Sequence, residues 1–159
     1  MQEIQDFINQ EYPVETIINS ELIYSDSAIV RVVLNAEKMN RYIGEKSFIE
    51  ISDGLVVNFY NNYGNKESEL TAVNAIINEV TGLMEAKNKV KIISKNGDVL
   101  QTEHLIWDQK EEKIFTEDFV QITTSSEQIY GEGFESNQDF TKYEIKKVSG
   151  TILLDEDYD

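Results

Sequence analysis

Leu70-Thr71-Ala72-Val73-Asn74-Ala75-Ile76-Ile77-Asn78-Glu79-Val80-Thr81-Gly82-Leu83-Met84 can be read in two ways. Leu70, Val73, Ile76, Ile77, Val80, Leu83 and Met84 form a helical stripe, and Ala72, Ala75 and Glu79 suit a helix. At an offset of 30 residues, however, the chain repeats itself: Ile76-Ile77-Asn78 returns as Ile106-Trp107-Asp108. Leu70, Met84, Val90, Ile92 and Val99 return as Leu100, Ile114, Val120, Ile122 and Ile129. The copy alternates, with Leu100, Thr102, His104 and Ile106 on one face and Leu105 and Trp107 on the other, and Thr, Trp and Ile suit strands. One repeat is one structural unit. Both segments are therefore expected to be strands, turning at Glu79 to Gly82 and at Gln109 to Glu112. A third copy is degenerate: at the same offset Leu100 meets Tyr130, His104 meets Phe134, Ile122 meets Ile152 and Val120 falls on Gly150.

Outward from this stretch the two-fold alternation continues through Ile29 to Leu34 and Leu55 to Tyr60. Turn signals separate the runs at Ser25-Asp26-Ser27, Asp53-Gly54, Asn61 to Asn65, Asn96-Gly97-Asp98 and Ser125-Ser126. Asn96-Gly97 fits a type I′ hairpin, whose two turn positions need positive φ. The expectation is an all-β chain of stacked hairpins forming two facing antiparallel sheets, with open ends and a long apolar seam. Such a body can hold something long and apolar, or offer an edge on which another strand continues. Ile4, Phe7 and Ile8 at helical spacing, ended by Pro13, predict a short helical or irregular lead-in over residues 1–13. The domain then spans 14–155, and 156–159 form an acidic tail.

At 159 residues the chain is one domain, able to bury roughly 70% of its unfolded surface. It has no cysteine and one histidine, which excludes a disulfide framework, a thiolate metal site and a multi-histidine cluster. Fourteen basic against 30 acidic residues give a net charge of −16, which repels nucleic-acid phosphate and anionic membranes. No apolar stretch reaches the roughly 18 residues of a membrane-spanning helix, so the chain as written is expected to be soluble.

With so many carboxylates, neighbours such as Glu117 and Asp118 carry no catalytic signal. A glycosidase needs two carboxyls facing each other across a cleft. His104 occupies a strand slot matched by Asn74 and Phe134, without a nucleophile beside it. Gly131-Glu132-Gly133 lacks the following helix of a phosphate cradle and reads as a bulge or a close backbone approach. No enzymatic activity and no cofactor are expected. Val56, Phe59, Ile76, Trp107, Phe115, Phe119, Ile122 and Phe134 are the candidate interior residues.

Ser20 to Ser27, Asp53 to Tyr60, Thr102 to Asp108 and the run Ile129 to Phe140, closed by Lys147-Val148-Ser149-Gly150-Thr151-Ile152, together resemble the periplasmic LptC family of the lipopolysaccharide export machinery. The likeness is to its Bacteroidetes-type form and covers about Val14 to Leu153. It implies an open, twisted, OstA-like β-jellyroll whose interior carries lipopolysaccharide acyl chains. It also implies two partners: the inner-membrane LptBFG transporter on one sheet edge and an LptA-like bridge protein on the other. A homodimer through an open edge is the further possibility. On this reading the eight interior candidates are lumen contacts for lipid, and Gly131, Gly133, Gly150 and Ile152 are partner-edge candidates. Family members usually carry a transmembrane helix or a lipoprotein anchor; this sequence has neither an apolar span nor an anchoring cysteine, so a periplasmic location with a tether outside the sequence is expected.

Overall fold

Alternating apolar side chains build ten antiparallel strands in a computed structural model describing residues 14–154. The expected lead-in over 1–13 and the tail 156–159 lie outside the described residues. The strands are β1 (Glu15–Asp26), β2 (Ile29–Tyr42), β3 (Phe48–Tyr60), β4 (Lys66–Ala72), β5 (Asn74–Asn78), β6 (Leu83–Ser94), β7 (Val99–Asp108), β8 (Lys113–Thr123), β9 (Glu127–Asn137) and β10 (Tyr143–Leu153). The ambiguous stretch contains no helix: it is the end of β4, β5 and the start of β6, turning at 79–82 as its copy turns at 109–112.

All ten strands belong to one sheet, ordered β1-β2-β3-β4-β6-β7-β8-β9-β10, with β5 beside β3 and β6. The two expected facing sheets are thus two layers of a single sheet folded along a crease. Bulges make the crease. Glu37 opposes Asp53 and Gly54, Asn88 and Lys89 oppose Glu103, and Glu117 and Asp118 oppose Gly133. Each is a two-against-one mismatch that bends the ladder. Asn19, Asp53, Gly54, Asn88, Lys89 and Gly133 all have positive φ there. At Val73 the bend separates β4 from β5, and the Val73 backbone bridges to Gly54 and Asn88 at 2.9 and 3.0 Å.

Across the crease the inward residues step by three or four positions instead of two, in alternation from strand to strand. Ala36 is followed by Met39, Ile51 by Leu55, Ala72 by Ala75, Ala86 by Val90, Thr102 by Leu105 and Thr116 by Val120. The bends therefore recur with the repeat. Asp53-Gly54, read as a chain reversal, is instead a crease inside β3. Asn96 does not have positive φ, so the type I′ expectation fails at 96–97; a turn closed by Gly97 N–H donating to Ser94 O at 2.9 Å stands there. The type I′ geometry sits at Ser27-Ala28, with φ of 51° and 67°.

The third copy is displaced by one residue. Ile92 pairs with Leu100, but Ile122 pairs with Ile129, because the loop between β8 and β9 (124–126) is one residue shorter than the loop between β6 and β7 (95–98). Phe134 thus takes the place of Leu105 rather than of His104, and Gly150 faces Tyr130 as Gln121 faces Gln101.

Candidate functional site

The layers meet in one apolar core running from Val32 to Phe140. Trp107, in the half of β7 beyond the crease, reaches across it. Its ring lies edge-on to Phe59 at 5.5 Å and to Tyr24 at 5.3 Å, both from the opposite layer. Its indole N–H donates to the side-chain oxygen of Gln138 at 3.1 Å, which satisfies a buried donor. Phe134, Phe140 and Tyr143 extend the aromatic cluster, with centroids 4.9 to 6.1 Å apart. Bulky side chains, several without solvent exposure, occupy the space between the layers.

Of the eight interior candidates, Phe59, Trp107, Ile122 and Phe134 lie in this core. Val56 and Phe115 are half-buried on the outer faces, and Ile76 and Phe119 are exposed at 41% and 54%. The three- and four-residue steps explain this. They turn Ala75 and Ile77 inward instead of Ile76, and Val120 instead of Phe119, while simple alternation sends Val56 and Phe115 out beside the inward Val57 and Ile114. Leu34, Met39, Ile51, Leu70, Met84, Leu100 and Phe140 are further core residues that the sequence reading did not name as candidates.

Among the described residues, the free edges of the sheet are β1 and β10. Gly150 and Ile152 lie on β10. Gly131 and Gly133 do not lie on an edge, because β9 is paired with both β8 and β10. Gly131 is a close-approach position: a Cβ there would meet Ile145 Cγ2 at 2.5 Å and the Lys147 carbonyl oxygen at 2.6 Å. Gly133 combines positive φ with the Lys146 side chain at 2.9 Å. Exposed apolar side chains accompany both edges, Ile17, Ile18 and Ile23 on β1 and Val148, Ile152 and Leu153 on β10.

Opposite the crease, charged groups line the seam where the layer rims meet. Arg31 donates to the Tyr60 carbonyl at 3.0 Å and lies 3.7 Å from Glu112 on the far rim. Glu67 is buried between Asn61 and Lys95, and the Lys95 ammonium holds its carboxyl below the usual range. Arg41 makes a two-point pair with Glu79. On the outer face His104 meets Glu85 at 2.9 Å and keeps that carboxyl low as well, without a nucleophile in reach. Among the described residues no group of three or more His, Cys, Asp or Glu could hold a metal ion, and no helix is long and apolar enough to cross a membrane. Shallow grooves follow the crease outside; the one lined by Asn19, Glu37, Asp53 and Gly54 encloses 480 Å³.

No curated protein matches the chain. A sequence model of the family described as "Lipopolysaccharide-assembly, LptC-related" matches residues 4–153. With that match over almost the whole chain, on a sheet folded into two layers with free edges, the protein belongs to the LptC family and has a role in lipopolysaccharide transport.

Proposed function

We propose that the protein receives lipopolysaccharide from the inner-membrane LptBFG transporter and passes it to an LptA-like periplasmic bridge, holding the acyl chains between its two layers. One observation carries this reading: the apolar interior runs the length of the sheet to two edge strands, β1 and β10, each free on one side among the described residues. A conduit can continue through such ends into neighbouring sheets by strand addition. In this reading β10 is the exit edge toward the bridge and β1 faces the transporter. The protein works in the periplasm, tethered to the inner membrane, and catalyses no reaction.

Each buried methylene contributes about 0.8 kcal/mol, so partial burial of long acyl chains reaches the order of 10 kcal/mol without a charged clamp. The acidic outer walls do not attract phosphorylated headgroups. The headgroup therefore stays at the solvent edge, held by cations or a lysine.

Photo-crosslinking residues placed at Phe59 and Trp107 test the interior, with half-buried, outward-facing Phe115 as control. Adducts with lipopolysaccharide from the first two and not from Phe115 are expected. Labelling from Phe115 alone would remove the lumen assignment. The filled interior favours a second reading, a scaffold that docks export components by edge pairing alone. A pull-down retaining transporter components but no lipopolysaccharide would select it.

A further inference from the structure

The turn between β9 and β10, residues 138–142, differs from its counterparts on the same rim. Turns 43–47, 79–82 and 109–112 contain no buried residue, whereas here Gln138 and Phe140 are 4% and 2% exposed. Phe140 stands where the preceding repeat places the exposed Glu111, and its ring packs on Phe134 and Tyr143 inside the core. The turn thus folds into the space between the layers.

Its placement carries three costs. Phe140 has a φ of 57°, a left-handed conformation unfavourable for a bulky side chain. One Asp139 carboxylate oxygen is buried without a hydrogen-bond partner. Burial also pushes that carboxyl above its usual range, with Arg31, Glu67, Glu112 and Lys95 as charged neighbours.

Its hydrogen bonds to the rest of the fold converge on one residue. Gln138 N–H donates to the Glu112 carbonyl at 3.1 Å, its carbonyl accepts from Ser68 Oγ at 3.2 Å, and its side chain accepts from Trp107. Among the described residues, 139–142 hydrogen-bond only to Asn137. The Asn137 side chain binds Thr141 N, Thr141 Oγ1 and Lys142 N at 2.7 to 3.0 Å. The turn's hydrogen bonds are internal or fall on Gln138, and Phe140 holds it to the core by apolar packing alone, the arrangement of a part that moves as a unit.

We propose that residues 138–142 are a displaceable plug: an acyl chain of the cargo enters at the Ser68–Gln138 seam and takes the space that Gln138 and Phe140 fill. This rests on the lipid-carrying reading and adds to it the point of access and the element that must move. It also reconciles a filled interior with a carrier, since the ligand replaces protein groups of similar apolar character instead of occupying a standing void.

Hydrogen exchange of the full chain, with purified lipopolysaccharide and with its de-acylated saccharide, tests the plug. With lipopolysaccharide, exchange across 138–142 is expected to accelerate on the order of tenfold, and the emission of Trp107, the chain's one tryptophan, to shift as its bond to Gln138 is lost. The saccharide should change neither. Phe140→Leu, a smaller apolar plug, should take up lipopolysaccharide faster than the parent. Lipopolysaccharide binding that leaves protection of 138–142 unchanged or raised would overturn the plug while leaving lipid carriage intact. An absence of binding would overturn both.

Discussion

Gly131→Ala and Gly150→Ala should shift stability in opposite directions, although both change a glycine at the β9–β10 ladder. At Gly131 the new methyl would sit 2.6 Å from the Lys147 carbonyl oxygen. Reaching ordinary contact at 3.4 Å requires that oxygen to retreat by about 0.8 Å. Because it is backbone, and Lys147 and Val148 are in register with Glu132 and Gly131, the retreat must deform the pairing of β10. Such overpacking costs about 1–3 kcal/mol, offset in part by the roughly 0.4–1 kcal/mol gained from the stiffer unfolded chain. A net loss near 1–2 kcal/mol corresponds to a fall in Tm of about 2–8 °C for a domain of this size. Gly150 has open space around it and no positive φ, so only the unfolded-state term remains and Gly150→Ala should gain about 0.4–1 kcal/mol. Urea unfolding followed by Trp107 emission reads the global stability, and hydrogen exchange reports whether β10 loosens first. Equal stability of Gly131→Ala and the parent, or a gain, would refute the claim that β10 lies closed on β9.

Gln138→Leu leaves the buried Trp107 N–H without its acceptor, at about 1–3 kcal/mol; adding Trp107→Phe should recover part of the loss in a double-mutant cycle of thermal melts. Ser27→Asn with Ala28→Gly places residues tolerant of positive φ in the β1–β2 turn, which should raise stability by about 1 kcal/mol in chemical denaturation. Asp139→Asn tests the sign of a pKa shift. The folded-state pKa of Asp139 lies above its unfolded value, chiefly through burial, so its contribution is fully present below about pH 3.9 and is lost as pH rises through the folded value. At pH 7 the ionised form is a liability, and the asparagine variant should melt higher there, with the difference shrinking as pH falls below 4; a constant difference across that range would remove the argument.

The strands and their turns were legible because a repeat converts an ambiguous local pattern into a shared one. Leu70 to Met84 looks helical for a physical reason. The stripe mixes faces: Leu70, Ile77 and Met84 point inward, while the outward Val73, Ile76 and Val80 are apolar as well and complete a helical spacing that neither face has by itself. The crease misdirected the interior candidates, since Ile76 and Phe119 lie just past or within a bulge, where alternation counted from one side gives the wrong face. Phe59, Trp107, Ile122 and Phe134 keep the right phase. Gly131 and Gly133 drew attention as glycines in a strand, and close approach and positive φ are what they serve, but the sequence carried no sign that β10 covers β9. Gln138 gave no signal either, because its importance comes from three partners, Ser68, Trp107 and Glu112, that only the fold brings together.

Because every layer is made from the same strands, the two cannot slide past each other; the motion left to them is a change of angle about the crease. The edge strand β10 inherits that geometry, bending beside Gly133 and bulging between Val148 and Gly150. A strand pairing along its whole length must bend in the same place, whereas a straight one could engage only half of it. The edge therefore selects for shape before it selects for side chains, and a partner that satisfies it is one whose own fold line and interior continue those of this protein.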